Sequence, residues 1–495
     1  MNNPDLSTPT RQSVKGLVFI FLQSVRQAVR MFWALIAVLV IQKNIFDHKA
    51  MLPIALVVLG LLFTVHSVLY YLNFYFYVKN GEFILKKGYL RKKVLTIPLE
   101  RIQSVNTKQN LIQQVLNVVA LEIDTAGTVG KELKIHALEK SFASALHELL
   151  SSKNAETSDT TETLETTVNT GSEKLILKLN PADLLKIGIS ENHLRTGLII
   201  LAFGYQIFNQ AQEVFREKAD EYSGEFVNFM SNSSLALIIF LALFFLIVSV
   251  LISLLRTLIK YFDFKLVKKE NAYRIEAGIF NKRNVVLPHN KIQELIWETG
   301  PLKKQFGIYT LVFKQAVSGQ NKKVQLVDAP GCLTEHLELL KNDLFGEDKL
   351  SNTTKFYSNT YYFRRLWSFT GWLPLILATP FLYSEWIFWL IAGFWLLSTA
   401  GYSYLILKKS YFVINNEQVR ISSGAISHTW KQMELFKIQS VEFKQTFFQK
   451  RRSLATLKLM NASGSIRIPY INEEPAKRIY NYLLYHTEIS KKSWM

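Results

Sequence analysis

The sequence predicts an α-helical membrane protein that also carries β domains. Six transmembrane helices form three pairs, and each pair is followed by a small β-barrel or sandwich with a C-terminal helix. Three observations lead there: uncharged runs of bilayer length, a motif that returns three times at matched spacing, and a charge distribution that places all copies on one side of a membrane. The 495 residues exceed one ordinary core. A hydrophobic content of 49% with 13% aromatics favours a bilayer, and a net charge of +19 suits an anionic partner. Mean hydropathy is positive, at +0.11. One cysteine, Cys332, excludes an intrachain disulfide framework and a cysteine-built metal cluster. The opening residues "MNNPDLSTPTRQSVKG" carry no cleavable signal pattern.

The spans come first. Leu235–Leu255 is 21 residues without a charge, and as a helix it is about 30 Å long, the thickness of a hydrocarbon core. Leu52–Leu72 is a second such run, and Trp386–Leu407 a third, with aromatic residues toward both of its ends as membrane interfaces favour. Each has a weaker partner before it: Met31–Ile41, Leu194–Phe215 and Leu366–Tyr383. The first of these spans only by extending back past Arg30 and Arg26, whose side chains would snorkel to the surface. His66, inside the second span, reads as a hydrogen-bonding group toward a neighbouring helix rather than a proton relay.

Charge orients the bundle. The connection 209–234 holds two basic and five acidic residues, whereas Arg11, Lys15, Arg26 and Arg30 precede the first span. The positive-inside tendency then puts the amino terminus in the cytoplasm, and six crossings return the carboxyl terminus there. The expected location is the inner (cytoplasmic) membrane, multi-pass, with all three β domains cytoplasmic.

Those domains share "RIQSV" at 101–105, "KIQEL" at 291–295 and "KIQSV" at 437–441. Aligned on Gln103, Gln293 and Gln439, a glycine stands 15 residues before each (Gly88, Gly278, Gly424) and a leucine 18 after (Leu121, Leu311, Leu457). Position 14 after the glutamine is small or polar: Asn117, Gly307, Ser453. Alternating stretches such as "EFILKKGYL", "AYRIEAGIF" and "QVRISSGAI" read as strands running into a glycine turn. Each unit ends on an amphipathic helix. Its apolar faces are Phe142, Ala145, Leu146, Leu149 and Leu150, then Leu333, Leu337, Leu340 and Leu344, then Ala476, Ile479, Tyr480, Leu483 and Leu484. The Ile-Gln pairs (Ile102, Ile292 and Ile438 with their glutamines) read as architecture, the isoleucine filling the core and the glutamine satisfying a backbone group where a strand bends.

Motif, glycines and helix pairs together resemble the bacterial pleckstrin-homology-like (PH-like) membrane proteins of the YdbT type, over nearly the whole chain except about 151–180. The resemblance implies these divisions: 1–77, amino-terminal segment and first helix pair; 78–150, PH-like domain 1; 151–180, flexible polar linker; 181–260, second helix pair; 261–346, PH-like domain 2; 347–407, third helix pair; 408–495, PH-like domain 3. The second copy departs with Glu294-Leu295 for Ser-Val and Thr299 for Gln109 and Gln445. The third has Glu434 where the others have Pro98 and Pro288. Such drift implies that the three domains need not share one ligand.

Catalytic patterns are missing. The nine histidines form no metal-ligand spacing, and no nucleotide loop or nucleophile elbow occurs, so the sequence calls for no cofactor, no metal and no enzyme. Basic clusters are more informative. Lys86, Lys87, Arg91, Lys92 and Lys93 surround the first glycine turn, Lys282 and Arg283 hold the matching place in the second unit, and Lys450, Arg451 and Arg452 stand in the third. Residues 408–495 alone carry net +9. Beside an anionic leaflet each such residue contributes about 1 kcal/mol of attraction, which makes these ten the candidate lipid- or partner-binding residues. The basic runs lack a nucleic-acid recognition module, so nucleic acid is not an expected partner. The expected function is a non-catalytic membrane scaffold whose PH-like domains mediate assembly or anionic-lipid contact. Its partners are membrane lipids and a second copy or, as the resemblance implies, a smaller one-domain relative. The alternative is a component of an export, peptide-resistance or envelope-stress complex.

Overall fold

The computed structural model describes residues 7–26, 30, 51–125, 133–152, 173–191, 193, 197, 199–200, 202, 206, 235–316, 326–350, 353–382 and 386–489. The chain divides into two compact bodies: Met1–Leu175 with Lys265–Pro288 and Ser318–Lys322, and Ile176–Phe264 with His289–Val317 and Lys323–Met495. The division falls inside the second repeat.

In the first body, β1 (Thr10–Arg11), β2 (Tyr75–Lys79), β3 (Glu82–Lys87) and β4 (Lys93–Pro98) form one antiparallel sheet in that order. Next come β5 (Ile102–Gln109), β6 (Val118–Thr125) and β7 (Leu133–Glu139), then the helix Lys140–Ser152. The two sheets and the helix share a core that includes Phe74, Phe76, Phe83, Leu121 and Leu146. On the closing helix Ala143 rather than Ala145 is buried with Leu146. The first repeat is therefore a sandwich, but its second sheet does not end with β7-β6-β5. After β8 (Lys174–Lys178), the strands β9 (Lys265–Lys269), β10 (Ala272–Ala277) and β11 (Lys282–Pro288) open the second repeat, and β11 pairs with β5. The order runs β7-β6-β5-β11-β10-β9 within the first body.

The second body repeats the device. It holds β12 (Ile292–Thr299), β13 (Tyr309–Gln315), β14 (Leu326–Cys332), β15 (Phe356–Tyr357), β16 (Tyr411–Ile414), β17 (Gln418–Ser423) and β18 (His428–Glu434). They make one sheet of order β14-β13-β12-β18-β17-β16-β15, so β12 of the second repeat pairs with β18 of the third. A separate sheet, β19 (Ile438–Lys444), β20 (Leu454–Asn461) and β21 (Gly464–Asn472), packs with the helix Glu473–Ile489 around Leu457, Ala476 and Leu483. Consecutive repeats thus share sheets. The reason is chemical, since an unjoined edge would leave backbone donors and acceptors without ladder partners.

The repeat spacing now has causes. Gly88, Gly278 and Gly424 all have positive φ (97°, 105° and 122°). A β-carbon on Gly88 or Gly424 would collide with the carbonyl oxygen three residues on. Position 14 also turns left-handed, at Asn117, Gly307 and Ser453 (φ 54°, 67° and 51°), which explains its small or polar residues. Between them sits a short helix: Leu111–Val115, Pro301–Gln305 or Phe447–Lys450. In each copy the residue six after the glutamine donates to a carbonyl nine positions on: Gln109 to Val118, Thr299 to Ile308 and Gln445 to Leu454. Leu121, Leu311 and Leu457 have no exposed surface, and Ile102, Ile292 and Ile438 are buried. The glutamine itself marks a β-bulge in every copy, between Ile102 and Ser104, Ile292 and Glu294, and Ile438 and Ser440. Its side chain has no common environment, since Gln293 is buried and Gln439 exposed. What recurs is the bulge.

The departures are compensated locally. Glu294 faces Lys314 across the β12–β13 pair, and their side chains meet at 3.0 Å. The corresponding pairs are Ser104 with Asp124 and Ser440 with Met460. Glu434 pairs with Lys437 at 2.7 Å.

Among the described residues two helices are long and apolar enough to cross a membrane, Leu243–Tyr261 and Trp386–Lys409. The second of these lies in a 24-residue helix that ends two residues beyond Leu407. Met51–Leu72 is helical over 22 residues. Tyr361–Leu382 is helical throughout but interrupted by a π turn at Ser368–Trp372, and it contains Pro380. It packs on Trp386–Lys409 where Gly371 meets Thr399, and Trp367 and Trp395 each donate to a carbonyl of the other helix. The helix Pro181–Ile189 packs on Leu235–Tyr261, with Gly188 against Leu254 and Ser253 donating to the Gly188 carbonyl. Met31–Ile41 and most of Leu194–Phe215 lie outside the described residues. The linker expected over 151–180 is shorter than read. Lys174–Lys178 is a strand with Ile176 and Leu177 buried, because its apolar pair has a surface to cover.

Replacing Gly424 by alanine is expected to destabilise the protein by about 1–3 kcal/mol, through a strained φ and the clash with Ser427. Gly307→Asn, at a left-handed residue facing open space, is expected to stay within about 1 kcal/mol. Thermal unfolding of the purified protein, followed by circular dichroism, compares the two.

Candidate membrane-interface site

The glycine turn between β3 and β4 carries the first basic cluster. Lys86, Arg91, Lys92 and Lys93 are exposed and Lys87 is half-buried. At the tip, Leu90 is 88% exposed and Val94 60%. Tyr89 lies against the apolar helix, its hydroxyl 3.0 Å from His66 Nδ1. Among the described residues His66 meets the hairpin, because the left-handed Gly88 folds the hairpin tip back onto that helix; the neighbouring helix expected as its partner lies outside the described residues. Six residues separate His66 from Leu72, so the tip reaches roughly 9 Å along the helix from its end. An apolar tip ringed by cations beside a membrane helix suits the headgroup layer.

The third repeat builds a similar surface from different elements. Thr446 caps the short helix Phe447–Lys450 by accepting from the Gln449 amide, and Gln449 closes the capping box. This leaves Phe447 and Phe448 exposed (75% and 56%) and followed by exposed Lys450, Arg451 and Arg452. The group abuts the first turns of Tyr361–Leu382. Arg452 lies over the Tyr361 ring at 5.0 Å, and Arg365 over Phe369 at 3.8 Å and Phe448 at 5.9 Å. Aromatic and arginine side chains are thus interleaved where an apolar helix begins.

Sequence reasoning named the cations but missed their apolar companions. Leu111, Ile112 and Val115 on the first short helix are exposed, as are Leu302 and Phe306 around the second. The legible signal was the capping pattern, Asn110 with Gln113 and Thr446 with Gln449, which marks a one-turn helix. In the second repeat Lys282 and Arg283 occupy another kind of place. They lie on β11 opposite Gln109 and Lys108, within the join between repeats. No group of three or more His, Cys, Asp or Glu side chains that could hold a metal occurs among the described residues.

The join in the second body is lined by aromatic and charged side chains. Trp297 and Trp430 face each other across it, 6.0 Å apart and stacked. Asp348 bonds both Lys341 and Arg420 at 2.7 Å, and Arg420 also reaches Gln432 at 2.9 Å. Burial would raise the Asp348 pKa, but the hydrogen bonds from Lys341 and Arg420 outweigh it and hold the carboxyl below its ordinary value. His428 stacks on Trp430 at 3.8 Å and meets the Ser422 hydroxyl at 2.6 Å. Burial first, then the Lys409 and Lys304 charges, push its pKa down to about 4, so the imidazole is neutral at pH 7.

Against known proteins, the family model of the bacterial PH domain matches three stretches of the chain, residues 19–154, 232–333 and 369–487. The transmembrane protein YdbT of Bacillus subtilis (strain 168) is 25% identical over 461 residues, covering 87% of this chain and 89% of that protein.

Two pH effects are expected at the second join. His428 is depressed from an unfolded value near 6.5, so stability falls as pH drops through about 6.5 toward about 4. His428→Gln removes that slope. Asp348 contributes stability above the ordinary carboxylate pKa of about 3.9, lost only as pH falls through its lower folded value. Asp348→Asn costs about 1 kcal/mol at pH 7, the charged hydrogen bonds being partly solvated. Melting temperature against pH for the full chain and both variants checks these signs.

Proposed function

The chain belongs to the bacterial PH domain family, and on that premise we propose that it is a non-catalytic scaffold of the inner membrane. Six spans in three pairs hold three PH-like domains, 78–150, 261–346 and 408–495, against the anionic cytoplasmic leaflet. The amino terminus shares that side. The observation that carries this reading is the turn Phe447–Arg452, where two exposed phenylalanines and three exposed cations lie beside the start of an apolar helix. Phenylalanine entering the acyl boundary and cations meeting headgroups is the partition that such a surface favours. The hairpin of Lys86, Lys87, Arg91, Lys92 and Lys93 supplies the same chemistry in the first repeat. The partners proposed are membrane lipids together with another PH-like chain, either a copy of this one or a smaller relative.

Reversing Lys450, Arg451 and Arg452 to glutamate removes about 3 kcal/mol of leaflet attraction, at about 1 kcal/mol per residue. The test is the ratio of anionic to zwitterionic phospholipid retained by the full-length protein in mild detergent. A several-fold fall in the variant, and a matching fall for the unaltered protein in high salt, is expected. An unchanged ratio overturns the headgroup reading.

A further inference from the structure

The two joins between repeats share one register. The position six after the motif glutamine faces the residue four after the next repeat's turn glycine: Gln109 faces Lys282, and Thr299 faces His428. One step inward, Lys108 faces Arg283 and Glu298 faces Thr429. The strand types are also the same, a bulged strand that opens with the Ile-Gln motif against a strand that follows the glycine turn. Two strands of these types stay at sheet ends among the described residues: β4, last in β1-β2-β3-β4, and β19, first in β19-β20-β21. Each chain therefore carries one edge of each type. A second observation concerns the basic residue that begins the motif. Lys437 donates to the Ile292 carbonyl at 2.8 Å, crossing the join to the bulge of the preceding repeat. Its counterpart Arg101, in the first repeat, is exposed.

We propose that a second copy of this chain docks at these edges, β19 of one copy adding to β4 of the next in the register of the internal joins. Lys92 then faces Gln445, Lys93 faces Lys444, and Arg101 reaches the Ile438 carbonyl of the neighbouring copy. The apposed lysines repeat a pairing already present within the chain, Arg283 opposite Lys108. In each case the lysine on the bulged strand has its own carboxylate, Glu122 at 2.5 Å from Lys108 and Glu442 at 2.7 Å from Lys444. Backbone pairing supplies affinity, as in strand addition generally, and the bulge and Arg101 set register. The contact is head-to-tail, so copies close into a ring or extend as an array in the membrane plane. This inference gives the scaffold reading a partner but does not depend on headgroup binding.

Full-length Lys93→Cys and Lys444→Cys chains, coexpressed with different tags and oxidised in mild detergent without anionic lipid, test it. Both substituted residues are exposed and Cys332 is buried, so neither folding nor the native thiol interferes. The expected result is a disulfide dimer carrying both tags, absent when either chain is expressed alone. Arg101→Glu in the Lys93→Cys chain lowers its yield at least about tenfold, as the loss of a charged hydrogen bond implies. A Lys108→Cys/Arg283→Cys chain, crosslinking within itself, reports that the internal joins survive detergent. If that control closes while the mixed chains give no dimer, the proposal fails. It fails equally if the dimer forms from one chain type alone or is indifferent to Arg101→Glu. Lipid retention is measured separately, so failure here is distinct from failure of the headgroup reading.

Discussion

The structure depends on the hydrogen-bonding demand of a strand edge. Each repeat folds two short sheets, and each short sheet has an outer strand whose donors and acceptors need partners. In the first body β5 meets that demand by pairing with β11, and in the second β12 does so with β18. A repeat is therefore not a bead on a string. Its core is its own, as the Phe74 to Leu146 cluster demonstrates, while its sheets belong partly to its neighbour. Duplication of such a unit yields a chain in which order along the sequence becomes order across a sheet.

That constraint explains which residues recur and which drift. Gly88, Gly278 and Gly424 recur because the turn there is left-handed, and at Gly88 and Gly424 a side chain would also collide with backbone. The bulge recurs in all three motif strands, in β5 and β12 at the joins and in β19 at a sheet end. Glu294 was free to replace a serine because Lys314 faces it, and Glu434 to replace a proline because Lys437 lies within reach. Lys437 also crosses to the Ile292 carbonyl, which gives the basic residue of the motif a structural task.

Much of this was legible in residue order alone. Strand alternation, the closing helices, the turn glycines and the small or polar residues at position 14 all obey local rules of backbone and burial. The glutamine sits at a β-bulge in every copy, but its side chain has no common environment. What residue order does not encode is which edge meets which edge. A period of two states that a strand has a buried face, and is silent on its lateral neighbour. The same blindness hid His66, whose partner Tyr89 lies on a hairpin, and the apolar residues of the short helices, which look like core until their surroundings are seen.

The family assignment and the membrane relative stand beside basic and aromatic clusters that lie at exposed turns and strand joins among the described residues. The central claim is that consecutive repeats are joined through backbone pairing, and amide hydrogen exchange of the full-length protein tests it most directly. Amides of β11 from Lys282 to Asn284 and of β18 from His428 to Gln432 should exchange as slowly as those of the interior strands β6 and β13. Fast exchange there, with β6 and β13 still protected, would mean that each repeat closes on itself and that the shared sheets do not form.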